Sequence, residues 1–173
     1  ETALGVVLRV SGKHEEAIPH LEAASAAEPI EIDVLRSLAA AQANSGEVDS
    51  AIKTYQRAIT AAEKSPLELA LVRRDLGLAY HKLGDLQEAI HEWSLALAIY
   101  EERKASAQTA RLLCDTANAR KALGHYARAM KDYETALMVL NSVDENDLET
   151  RGLVLSNAAN AYAELGDAES ADA

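Results

Sequence analysis

Apolar residues at helical spacing run from Leu78 to Leu83 and stop at Gly84; a second apolar face of Ile90, Trp93 and Leu97 follows. The predicted unit is helix, glycine, helix. Gly84 stands where a residue of free φ is wanted just past a helix C-terminus, and Asp85 is placed to cap the second helix.

The same unit recurs when the chain is aligned on Gly12, Gly46, Gly84, Gly124 and Gly166. Five residues after these stand Ala17, Ala51, Ala89, Ala129 and Ala171, and seven before them stand Gly5, Ala39, Gly77, Ala117 and Ala159. Nine after the first four come Leu21, Tyr55, Trp93 and Tyr133, and twelve after come Ala24, Ala58, Ala96 and Ala136. Small residues at fixed places mark where paired helices cross closest, and the large residue fills the gap beside them. Glycine-to-glycine spacing grows through 34, 38, 40 and 42 residues, yet the span from small residue to late alanine is always 19. The added residues therefore fall between hairpins, so helices at the junctions should be longer than the rest. Ser65, Pro66 and Glu68 predict one restart, as a capping box with proline at the first helical position.

The segment LGLAYHKLGDLQEAIHEWSLALAIY, residues 76–100, resembles the tetratricopeptide repeat, and ALGVVLRVSGKHEEAIPHLEAASAAEP and SNAANAYAELGDAESA repeat its pattern. The resemblance implies an all-α, right-handed superhelical α-solenoid of antiparallel helix-turn-helix hairpins. It implies a single array over 1–173, with units at about 1–29, 30–65, 66–105, 106–146 and a truncated 147–173. Units of 40–42 residues resemble the long-repeat branch found in kinesin light chains and spindle-orientation adaptors. Gln42 and Arg120 replace the usual aromatic at one column, so those two hairpins are expected to pack differently there. Uncapped terminal hairpins leave apolar surface bare; the natural protein is expected to continue beyond at least one end, and open ends would allow homo-oligomerisation.

Composition agrees with close helix packing: alanine is abundant and phenylalanine absent. No stretch of 18 apolar residues exists, so membrane insertion is not expected, and a cytoplasmic setting is the default. The net charge of −11 is uneven: residues 36–131 carry 14 bases against 11 acids, and both flanks are acidic. An acidic chain without a basic run argues against nucleic acid. Cys114 is the one cysteine, and His14, His20, His81, His91 and His125 lack metal-ligand spacing. No phosphate loop or carboxylate dyad is present, so neither an enzyme nor a cofactor is expected.

In the resembled family the first helix of each hairpin lines a concave face that holds another protein or peptide segment. The matched inward positions include Thr2, Val6, Arg9, Asp33, Ser37, Ala40, Asn44, Asp75, Lys82 and Cys114. The residues singled out as a peptide-binding groove are Arg36, Arg74, Leu78, His81, Arg111, Asn118, Lys121, Asn157 and Asn160. Arginine forks suit carboxylates, and stacked asparagines such as Asn118 and Asn160 can bond an extended backbone. The expected ligand is thus an extended or helical acidic segment. The competing reading is that Asp75 and Asp115 neutralise neighbouring arginines. The chaperone-tail clamp of the family is not matched, because the corresponding positions hold Arg74, Leu78, Asp115, Leu153 and Asn157. A regulatory domain of a larger enzyme and a self-assembling scaffold are the alternatives.

Overall fold

The structure, a computed structural model, describes residues 1–27, 29, 31–141 and 148–171, with side chains described as far as Leu165. All regular elements among the described residues are α-helices, arranged in two compact units, Glu1–Asp85 and Leu86–Ala173. The first unit contains α1 (Thr2–Val10), α2 (His14–Ser25), α3 (Ile32–Ser45), α4 (Val48–Ala62) and α5 (Pro66–Leu83). The second contains α6 (Leu86–Glu102), α7 (Ser106–Ala122), α8 (Tyr126–Asn141) and α9 (Leu148–Ala171).

The hairpin turns follow from the glycines. Gly46 adopts φ 93°, and the N–H of Glu47 reaches back to the Gln42 carbonyl at 2.8 Å. This closure needs a left-handed residue, which glycine supplies without a Cβ clash. The same reach-back bond joins Lys13 to Leu8 (2.9 Å), Asp85 to Tyr80 (3.0 Å) and His125 to Arg120 (2.9 Å), each beside a glycine of positive φ. Gly166 differs from the expectation: α9 runs through it to Ala171. Ala163, Glu164 and Leu165 before Gly166 and Ala168 and Glu169 after it are strong helix formers, so local propensity carries α9 through the glycine. Ala159 is exposed, whereas Gly5, Ala39, Gly77 and Ala117 in the same column are buried.

Helix lengths locate the added residues. The α1 to α4 helices have 9, 12, 14 and 15 residues, and α5 to α8 have 18, 17, 17 and 16. The step from 34 to 38 is taken up by longer helices at the junction, α4 and α5 against α2 and α3, as the sequence implied; the last junction, residues 142–147, lies outside the described residues. Pro66 does begin α5, with Ser65 at its N-cap, but the Ser65 side chain makes no cap hydrogen bond, so the capping box is not formed. Proline's fixed φ and missing N–H suffice to start the helix there.

Cores form where small and large columns meet. In the first unit Ala39, Ala51, Tyr55 and Ala58 pack with Val72 and Leu76, and Ala17 and Leu21 pack with Leu38. In the second, Ala117, Ala129, Tyr133 and Ala136 pack with Val154 and Ala161. Gly5 marks a tight crossing: an added Cβ would stand 2.7 Å from Cγ of Leu21 and 3.3 Å from its backbone nitrogen. Overpacking costs about 1–3 kcal/mol, against a gain of about 1 kcal/mol in helix propensity. Because the backbone atom cannot turn aside, Gly5→Ala should destabilise by about 1 kcal/mol, read from urea unfolding.

The aromatic-column departures have a shared solution. Buried Gln42 accepts from the Thr54 hydroxyl at 2.8 Å, and Arg120 donates to Asp132. In both, a polar residue on the first helix meets a polar partner twelve residues later on the second. The expected difference in packing is a hydrogen-bonded pair in place of an aromatic ring.

Candidate peptide-binding face

In the first unit, α1, α3 and α5 place their inward columns side by side, leaving two cavities. The larger, 330 Å3, is lined by Thr2, Val6, Ser37 and Ala40 together with Arg9, Arg36, Glu31, Asp33 and Asp75. Its carboxylates outnumber its guanidiniums. The smaller, 290 Å3, has Arg9, Arg36, Arg74 and Lys82 against Asp75 alone, with Asn44, Tyr55 and Leu78 in its wall. Four cations against one anion make it basic.

Asp75 organises that wall. One carboxylate oxygen accepts from Arg36 Nε (3.1 Å) and Nη2 (2.8 Å), and the other from Arg74 Nε (3.0 Å) and Nη2 (2.6 Å). Arg36 also donates through Nη1 to the exposed Asp33 at 3.1 Å. Burial pulls the Arg36 guanidinium down, but Asp75 and Asp33 together hold it above its ordinary value. Tyr55 is buried beneath, its phenol pushed up first by burial and then by Asp75, with Arg36, Arg74 and Arg9 pulling the other way. It remains protonated, and the guanidiniums of all three helices are close enough for their charge to be felt at one ring. Lys82 donates to the neutral Asn44, so its charge is not offset by that partner.

The second unit presents a more committed surface. Asn118 is half-buried and accepts from the Tyr133 hydroxyl at 2.6 Å; burial and the neighbouring Cys114, Glu164 and Asp132 push that phenol up to about 12, so it stays a donor. Lys121 donates to Glu164 at 2.8 Å, and Asn157 to Cys114 Sγ at 3.3 Å. Arg111 and Asn160 are exposed. Cys114 is fully buried rather than open to a groove; burial pushes its thiol up, which outweighs the opposing bond from Asn157 and leaves it an inert filler.

Of the residues singled out in the sequence, Arg36, Arg74 and Leu78 share one cavity wall, while His81 is exposed and not part of that lining. Arg9 and Lys82 also line the basic cavity. Arg9 lies three residues before its glycine, in the column of His81 and Lys121; Lys82 shares its column with Asn44. Reading every base in the inward columns would have added both.

Two family profiles described as tetratricopeptide repeat match the chain, at residues 2–66 and 75–102, together more than half its length. The chain belongs to the tetratricopeptide repeat family. No curated protein sequence matches this repeat protein. Among solved structures it is similar to a Podosopora anserina protein described as a kinesin light chain with nearly identical TPR-like repeats. That match has 19% identity and TM-score 0.79, covering 99% of this chain and 88% of the other. BtubC (BKLC) from P. vanneervenii is similar at 18% identity and TM-score 0.79, covering 98% and 73%. The apo form of RapI is similar at 15% identity and TM-score 0.73, covering 96% and 51%. At these identities the likeness concerns the fold. Family membership makes the repeat protein an interaction scaffold in general terms, built on a module that is typically non-catalytic. Among the described residues no helix is long and apolar enough to cross a membrane.

Proposed function

We propose that this repeat protein holds an extended or helical acidic segment of another protein on the inward faces of its first helices. The observation that carries the reading is the charge of the 290 Å3 cavity, where Arg9, Arg36, Arg74 and Lys82 outnumber Asp75. Two of those arginines already share Asp75, so each retains only part of its charge for a ligand. The surplus comes from Arg9 and Lys82. In the second unit, Asn118 has its carbonyl engaged by Tyr133 and keeps its amide N–H groups, which suits a donor to a peptide carbonyl. Arg111 and Asn160 are exposed polar residues of the same unit.

Acidic peptide pools measured by fluorescence anisotropy test this reading. Arg74→Glu places a second carboxylate beside Asp75 and should weaken binding about tenfold or more, roughly the loss of one charge-assisted hydrogen bond. Asn118→Ala should weaken it by a smaller factor. Undiminished binding by both variants, with folding verified by circular dichroism, overturns the assignment.

A further inference from the structure

We infer that the basic cavity of the first unit is a site for a doubly charged side chain, a phosphoserine or phosphothreonine of the partner segment, with Arg9 as its anchor. The inference rests on the acidic-segment reading and narrows it.

The first support is charge. Four cations and one carboxylate line the cavity, and with Arg36 also held by Asp33 the surplus is the two charges of Arg9 and Lys82. A glutamate side chain offsets one of these; a phosphate brings close to two charges and three acceptor oxygens. The second is the donor inventory. Arg36 has Nε and Nη2 on Asp75 and Nη1 on Asp33, and Arg74 has Nε and Nη2 on Asp75. Arg9 differs: its Nε is buried and has no hydrogen-bond partner. That nitrogen is shielded from solvent and is not itself the donor; Nη1 and Nη2 of Arg9, which no hydrogen bond or ion pair among the described residues engages, are the groups that face a ligand oxygen in the cavity. Lys82, bonded to a neutral amide, has further N–H groups for the same oxygens.

Size and surroundings narrow the ligand further. At 290 Å3 the cavity lies at the lower bound of about 300–1,000 Å3 for ligand pockets, so it fits a single head group rather than a free cofactor. Arg9 also borders the larger cavity, where Glu31, Asp33 and Asp75 outnumber the bases. A second acidic residue is disfavoured there. The phosphorylated residue of the acidic segment therefore sits in the basic cavity, and the neighbour that faces the larger cavity is not itself an acid.

The test uses degenerate peptide pools fixed at the centre as phosphoserine, phosphothreonine, glutamate or serine, titrated against the whole chain and against Arg9→Gln and Lys82→Gln. The phosphorylated pools should bind about tenfold more tightly than the glutamate pool, and Arg9→Gln should erase that ratio. Lys82 is exposed, so Lys82→Gln keeps the test independent of any folding defect at Arg9; it should reduce the ratio several-fold. Equal binding of phosphorylated and glutamate pools overturns the inference and leaves the acidic-segment reading intact. A phosphate preference unchanged in Arg9→Gln overturns the anchor. Binding by none of the acidic pools overturns both readings.

Discussion

Arg120→Gln is expected to destabilise the repeat protein by about 3 kcal/mol at neutral pH, the lower end for breaking a buried ion pair. The lower end applies because the Arg120 and Asp132 side chains are 27% and 12% exposed. Asp132 is the vulnerable partner. Burial already holds its carboxyl above the ordinary 3.8 despite the charge and hydrogen bond of Arg120, and removing Arg120 pushes it higher. With a raised folded value, the group's contribution to stability is complete below 3.8 and is lost as pH rises through the folded value. The defect of Arg120→Gln should therefore shrink as pH falls through the raised folded value and level off by about 3.8, in urea melts compared with the parent chain. Asp132→Thr added to Arg120→Gln reproduces the Gln42–Thr54 pair of the earlier hairpin, which bonds without charge. The double variant should return to within about 1 kcal/mol of the parent at neutral pH. A double variant as unstable as the single one would show that the two hairpins do not solve the same packing problem.

That pair marks how far the sequence could be read. Columns of small and large residues carried the hairpins, because close helix crossings and left-handed turns each admit few residue types. Gly5 against Leu21 and the reach-back bonds beside Gly46 and Gly84 are the physical content of those columns. Gln42 and Arg120 looked like plain departures when columns were read one at a time. Their compensation lies twelve residues on, in Thr54 and Asp132, and only reading two columns together exposes it. Gly166 misled for another reason. A glycine permits a helix to end but does not require it, and the strong helix formers on both sides of Gly166 carry α9 through it.

The candidate site was less legible than the fold. Inward columns placed Arg36 and Arg74 on one face, but not the sharing of Asp75 between them, since Arg36 and Asp75 are 39 residues apart and occupy adjacent columns rather than the same one. Nor does a column reveal that Asn118 is engaged by Tyr133, or that Cys114 is sealed behind Asn157. A position on a helix face fixes the direction of Cβ; the reach of a long side chain is decided by what its neighbours offer.

Asp75→Asn should separate the stability of the first unit from its affinity for anions. The neutral amide keeps one acceptor of similar shape but loses the charge that holds Arg36 and Arg74, whose side chains are 22% and 32% exposed. The expected cost is about 2–3 kcal/mol, below that of removing a fully buried partner because both guanidiniums can still reach water. Thermal unfolding should show it directly, and Asp33, exposed and bonded to Arg36 alone, cannot make up the difference. At the same time the cavity loses the one carboxylate of its lining, which raises the positive charge facing the ligand by one. Binding of acidic or phosphorylated peptides should then tighten several-fold, opposite in sign to the stability change. The opposition is the point of the experiment. If Asp75 merely neutralised surface arginines that bind nothing, its loss would lower stability and leave peptide binding where it was. If the basic wall is a binding surface, Asp75 holds the guanidiniums in position for the ligand while weakening their pull on it. Only that arrangement makes the less stable variant the tighter binder.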